Sequence, residues 1–194
     1  MFSDQKFSSM TLVGILGFSG YSGADLVRIL SGHPQVEPVL LEHRNTGDRP
    51  RPIGLAGPRR LAFSIEAVVE AGIEVVFLAT PPEASMELAP PLLNEGIKVI
   101  DLSGAFRLRT PENYQRWYKA THTQPGLLAE AAYGLPELCR SRIPVARLIS
   151  NPGCYPTAAN LTLRPLLEAG AIKREAGIVS TPKAVSARRA SSPR

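Results

Sequence analysis

Only two cysteines, one tryptophan and three histidines occur among the 194 residues, and aromatics make up 6%. Two thiols, Cys139 and Cys154, cannot build a disulfide framework, so a reducing, cytoplasmic setting is expected. No run of about 18 apolar residues occurs, which predicts no transmembrane helix and no membrane partner. The first ten residues lack the apolar stretch of a secretory signal and are expected to be a disordered lead. The charge is not spread as a basic face. Of the net +5, Lys183, Arg188, Arg189 and Arg194 supply +4 within an acid-free tail, residues 181–194, leaving +1 for the preceding 180 residues. A basic tail alone does not define a nucleic-acid binder, and no nucleic-acid partner is expected. Hydrophobic residues at 44% and charged residues at 20% exclude disorder as the overall state and suit one large domain or one and a half.

What is present is an alternation of strand and helix patterns. Thr11 to Gly17, Val36 to Leu41, Glu74 to Ala79 and Lys98 to Leu102 read as strands, with a short one over Arg147 to Ser150. Ala24 to Leu30 reads as a helix whose Leu26, Val27 and Leu30 share a face, stopped by Gly32 and Pro34. Further helices are expected over Ile65 to Ala71, over Glu83 to Leu93 where Pro90 and Pro91 must bend or end it, and over Pro156 to Leu167 with Gly170 beyond. Residues 44–60 read as an exposed loop and residues 104–147 as an irregular excursion. The alternation predicts a doubly wound, Rossmann-like parallel α/β sheet.

Gly14, Gly17, Gly20 and Gly23 recur every three residues between the first strand and first helix. Glycine there permits positive φ and a close backbone approach to a pyrophosphate, beside the free N–H groups of a helix start. Glu42 lies where a carboxylate meets the ribose hydroxyls of NAD, and Arg44 where a cation meets the extra phosphate of NADP. The two residues point opposite ways, and either could be a solvated charge.

The sharpest feature is Asn151-Pro152-Gly153-Cys154-Tyr155-Pro156-Thr157. Pro156 suits an early helical position, which places Cys154 at a helix N-terminus. Such a position favours a thiolate, the nucleophilic form of the group, and offers N–H donors to an oxyanion. The bland alternative is a buried, inert cysteine, which is the reading for Cys139.

These residues carry a resemblance. Gly14-Ile-Leu-Gly-Phe-Ser-Gly-Tyr-Ser-Gly23, Asp101-Leu-Ser-Gly-Ala-Phe-Arg-Leu108, and Ala132-Tyr-Gly-Leu-Pro-Glu-Leu138 leading to Asn151-Pro-Gly-Cys-Tyr-Pro-Thr157 resemble the N-acetyl-gamma-glutamyl-phosphate reductase family of arginine synthesis, over roughly residues 11–180. A sister enzyme acting on aminoadipate, in lysine synthesis, has similar motifs. The resemblance implies that Cys154 attacks an acyl phosphate, that phosphate leaves, and that the thioester is reduced by NADPH to an aldehyde. Gly17, Ser19, Gly20, Tyr21, Ser22 and Gly23 would border the cofactor, with Arg44 favouring NADP. Ser103, Arg107 and Asn151 would border the substrate. Taken alone, Arg107 reads equally as a structural ion pair or an anion clamp, and Glu137 as a buried ion-pair member or a site residue. The family often has serine or threonine where this chain has Glu42. No metal ligand set is expected.

The resemblance also implies a longer chain. Residues 11–150 would be the dinucleotide-binding domain and residues 151–180 the nucleophile motif with the start of an α+β substrate and dimerisation domain. The family's homo-oligomer would be impaired by the missing part, which also supplies an acid/base histidine. His33, His43 and His122 all precede Cys154 and are expected at the surface. The tail from about residue 181 is expected to be a frameshifted reading. Shifted by one base, residues 180–189 permit Asp-Ala-Lys-Ser-Gly-Val-Ser-Ala-Ala-Gly, close to the family's continuation. A chain of this kind would be inactive alone. The rival readings are the aminoadipate enzyme and a non-catalytic NADP-binding fragment.

Overall fold

Short apolar runs, with consecutive residues buried in β-strands covered on both faces, set the architecture. The computed structural model describes residues 10–43, 57–173, 175, 177–179 and 181. Most of the lead, most of the 44–60 loop and nearly all of the basic tail therefore lie outside the described residues. Two compact units divide the chain, Met1–Gly153 and Cys154–Arg194.

Among its described residues the first unit holds seven strands: β1 Thr11–Leu16, β2 Val36–Glu42, β3 Arg59–Ala62, β4 Val75–Leu78, β5 Lys98–Asp101, β6 Ala132–Tyr133 and β7 Leu148–Ser150. They form one sheet in the order β3-β2-β1-β4-β5-β7-β6, and every pair is parallel. The chain runs outward from β1 through β2 to β3, then returns to β4 on the other side of β1. This is the doubly wound sheet that the alternation predicts, and its order reverses beside β1, where such sheets open a crevice at the strands' C-terminal ends.

The unit's helices are α1 Tyr21–Ser31, α2 Ile65–Glu70, α3 Pro82–Asn94, α4 Pro111–Tyr118, α5 Pro125–Glu130 and α6 Pro136–Cys139. Leu16, Leu41, Val76, Leu78 and Val99 meet Val68 of α2 and Leu92 of α3 in one buried cluster. Gly14 belongs to β1 rather than to the turn after it. A Cβ there would lie 2.7 Å from Leu41 Cδ1, so this glycine makes room for packing.

Several elements differ from expectation. Of the two outcomes expected at Pro90 and Pro91, the helix does not end: both lie inside α3, where Ala89, Leu92 and Leu93 are buried in the core and tertiary packing outweighs local propensity. Helix α1 begins three residues earlier than expected, at Tyr21. The excursion over 104–147 is not irregular: it carries α4, α5, α6 and β6. Strand β3 occupies part of the expected loop.

The second unit holds α7, Cys154–Glu168, which begins at Cys154 rather than Pro156 and buries none of its residues. Gly170, with φ of 65°, closes it as expected, and the Ala171 N–H donates to the Leu166 carbonyl at 2.9 Å.

Candidate functional site

The turn from β1 to α1 shows three glycines with three different causes. Gly17 has φ of 80°, and a Cβ there would lie 2.2 Å from the Ala79 carbonyl oxygen at the end of β4. Gly23 is buried in the first turn of α1, where a Cβ would lie 2.2 Å from the Gly17 carbonyl oxygen. Both are required by the fold. Gly20 is not. It caps α1 in an extended conformation, φ −77°, and the nearest atom to a Cβ there is the Gly17 carbonyl oxygen at 3.4 Å, ordinary contact. The lack of a side chain at Gly20 leaves open space above the turn. No side chain caps α1 and no acid lies in its first turn, so the helix start presents N–H groups and partial positive charge. Ser19, Tyr21 and Ser22 are exposed around it.

At the end of β2, Glu42 is not a free carboxylate. Arg60 of β3 donates from Nη1 to Glu42 Oε1 at 2.7 Å. The Arg60 guanidinium also lies over the ring of Phe18, 5.3 Å from its centroid. Arg60 falls within the loop expected over residues 44–60, so the sequence gives no sign that it stands on a strand beside Glu42. Arg44 lies outside the described residues.

A third group gathers at the ends of β5 and β7. Asp101 is fully buried and accepts hydrogen bonds from the Ser103 hydroxyl at 2.9 Å and the Ser103 N–H at 3.1 Å. Burial raises its pKa, offset in part by hydrogen bonds from Ser103 and Ser85 and by the Arg107 charge. Ser103 Oγ also accepts from the Ala105 N–H at 3.0 Å, so its hydroxyl is used in shaping this loop. Arg107 donates to the Asn151 carbonyl at 2.9 Å and the Leu102 carbonyl at 2.7 Å. It ties the loop after β5 to the segment after β7 through backbone oxygens. The Asn151 N–H in turn donates to the Asp101 carbonyl at 2.8 Å. Gly134 packs here as well, where a Cβ would lie 3.3 Å from Asn151 Cα. The Tyr133–Gly134 stretch therefore lies beside the segment that leads to Cys154. Glu137 is exposed, which removes the buried ion-pair reading.

Cys154 is the exposed first residue of α7, with no acid in the helix's first turn. Cys139 is half-buried in α6. Of the histidines, His33 is exposed and accepts from the Gln35 N–H at 3.2 Å, and His43 stacks on Phe63 at 6.2 Å. His122 is not a surface residue: it is buried, edge-on to Phe106 and Tyr114. Its Nδ1 accepts from the Gln124 N–H at 3.0 Å, which leaves the proton on Nε2 to donate to the Ala105 carbonyl at 2.9 Å. Burial holds its pKa below the usual histidine value, against the opposing effect of that carbonyl. Among the described residues, no three His, Cys, Asp or Glu side chains are grouped to hold a metal ion.

A parallel sheet whose order reverses beside a glycine turn and an uncapped helix start defines a dinucleotide-binding α/β protein. Residues 12–146 match the family described as "Semialdehyde dehydrogenase, NAD binding domain", and the chain belongs to that family. An N-acetyl-gamma-glutamyl-phosphate reductase of Thermus thermophilus is 50% identical over 165 residues, covering 83% of this chain and 47% of the relative. One from Nitrosomonas europaea is 45% identical over 181 residues, covering 91% and 53%. The chain spans about half the length of the curated relatives it matches. The solved aspartate semialdehyde dehydrogenase of Candida albicans, with NADP, shares the fold at 15% identity, with a TM-score of 0.55 over 83% of this chain and 48% of that one. No helix among the described residues is long and apolar enough to cross a membrane.

Proposed function

We propose that this chain carries the cofactor-binding and nucleophile portions of an NADP-dependent N-acetyl-gamma-glutamyl-phosphate reductase of arginine synthesis. Relatives of that name at 45–50% identity support the reading. The observation that carries it is Gly20, whose missing side chain the fold does not need and a pyrophosphate at the α1 start does.

Gly17, Ser19, Gly20, Tyr21, Ser22 and Gly23 would hold the dinucleotide, which when bound supplies a hydride. Cys154 is the proposed nucleophile. Its thiolate would attack the acyl carbon, forming the S–C bond of a thioester. The bond from that carbon to the phosphate oxygen breaks, and phosphate leaves with the electron pair. Arg107 would act through position, since it fixes the Asn151 carbonyl three residues before the nucleophile. The free cysteines are in keeping with action in the cytoplasm.

A second reading, a dinucleotide-binding protein without turnover, is favoured by Ser103 and Arg107, whose polar groups are engaged by Asp101 and by backbone groups rather than aimed at a substrate. Substrate positioning can supply about 7–11 kcal/mol of a barrier, and Arg107, Ser103 and Asn151 are the residues proposed to border the substrate. Two measurements test the proposal. Calorimetric titration with NADPH is expected to show binding to the wild type that Gly20→Val abolishes without loss of folded structure. Aldehyde- and phosphate-dependent reduction of NADP⁺ is expected to be weak and to vanish in Cys154→Ala. Unchanged nucleotide affinity in Gly20→Val would sink the glycine argument, and activity retained in Cys154→Ala would sink the nucleophile.

A further inference from the structure

The exposed end of β2 holds an arrangement that the glycine turn does not require. Glu42 is the last residue of β2, the position at which a carboxylate meets a nucleotide ribose. Alone, it would repel a phosphate on that ribose. It is not alone. Leu40 pairs with Arg60 across β2 and β3, and strand alternation puts Leu40, Glu42 and Arg60 on one face of the sheet. Arg60 reaches two residues along that face to Glu42, at 2.7 Å, while its guanidinium rests over Phe18 of the glycine turn. The carboxylate is neutralised, and the cation is fixed between the β2 end and the turn.

We propose that Arg60 reads the 2′ substituent of the adenosine ribose, so that Glu42 and Arg60 form one selector admitting the phosphorylated cofactor. This rests on the dinucleotide reading above and names a specificity residue within it. A guanidinium has five N–H donors in a planar fork, and Glu42 occupies one of them. The two side chains remain 41% and 36% exposed, open to a ligand. The fork suits a phosphate, which it can bind through two donors at once. The carboxylate keeps its capacity to accept from a ribose hydroxyl. An exposed pair of this kind adds little to folding, so its substitution reports on binding.

The test titrates the full chain with NADPH and with NADH, in the wild type, Arg60→Gln, Arg60→Lys and Glu42→Gln, with thermal melts to confirm folding. Loss of a charge-assisted contact predicts that Arg60→Gln weakens NADPH about tenfold or more while NADH stays within about twofold. Arg60→Lys keeps the charge but not the fork and should fall between. Glu42→Gln should weaken NADH and spare NADPH. Equal loss of both nucleotides in Arg60→Gln, or loss of neither, overturns the selector while leaving nucleotide binding intact. A wild type that binds neither nucleotide overturns the reading beneath it as well.

Discussion

Helices α3 and α7 are built alike and end differently. Helix α3 has 13 residues and internal prolines at 90 and 91, and it buries Ser85, Met86, Ala89, Leu92 and Leu93. Helix α7 has 15 residues and an internal proline at 165, and it buries nothing. Both offer leucines at helical spacing. The difference lies in packing within each unit: α3 has a sheet face to cover inside the first unit, whereas within the second unit Leu161 and Leu166 of α7 stay 38% and 41% exposed. Apolar pattern alone makes a helix, and only a partner surface makes it a core helix.

The largest effect expected from this contrast is in stability. Leu92→Ala removes a fully buried side chain and should cost about 2–5 kcal/mol in urea unfolding, the range for truncating a core leucine. Leu161→Ala should fall within about 0.5 kcal/mol of wild type, as exposed substitutions do. A loss at Leu161 that matches the loss at Leu92 would show that α7 is covered in solution, by a second copy or another partner.

A smaller effect separates the buried unit by pH. His122 has its pKa lowered by burial, so the folded state binds fewer protons than the unfolded state below about pH 6.5. Its contribution to stability is full above that pH and is lost as the pH falls toward the folded value. Asp101 acts with the opposite sign. Burial raises its pKa, so its contribution is greatest at and below the ordinary carboxylate range and is lost as the pH rises through the raised value. The informative quantity is therefore the difference between wild type and His122→Asn. Urea melts across the acid range should show wild type losing stability more steeply than the variant as pH falls. Parallel slopes would mean that His122 is protonated as easily in the folded chain as in the unfolded one.

The parts that were legible in the sequence are those whose own residues carry the cause. Strands β1, β2, β4 and β5 each carry a short apolar run, because both faces of a parallel sheet are covered. The glycine turn was legible because glycine's freedom is intrinsic. Strand β3, Arg-Arg-Leu-Ala, was not: it is largely exposed, and only its pairing with β2 makes it a strand. Arg60 went unseen for the same reason. Helix α4 did carry a local signal, since Thr110 accepts from the Asn113 N–H at 3.2 Å and Pro111 follows it. A threonine cap before a first-position proline marks a helix start. The burial of His122 had no such signal, because Phe106 and Tyr114 reach it through the tertiary fold.

The two thiols carry the comparison to its finest scale, one in each unit. Alkylation by iodoacetamide requires both access and thiolate. Cys154 is exposed and opens a helix whose first turn holds no acid. Cys139 is half-buried at the end of the four-residue α6, and its N–H is committed to the Leu135 carbonyl at 2.8 Å. Labelling of the folded chain near neutral pH, read by mass spectrometry of the two peptides, should therefore be several-fold faster at Cys154, on the order of the modest differences that access alone produces. In urea the rates should converge, because both thiols then see the same solvent. Convergence matters to the argument: a difference that survives unfolding would come from neighbouring residues in sequence and not from the fold. Faster labelling of Cys139 in the folded chain would mean that α6 opens readily and that Cys154 is shielded, and Cys154 would then lose its claim as the accessible nucleophile.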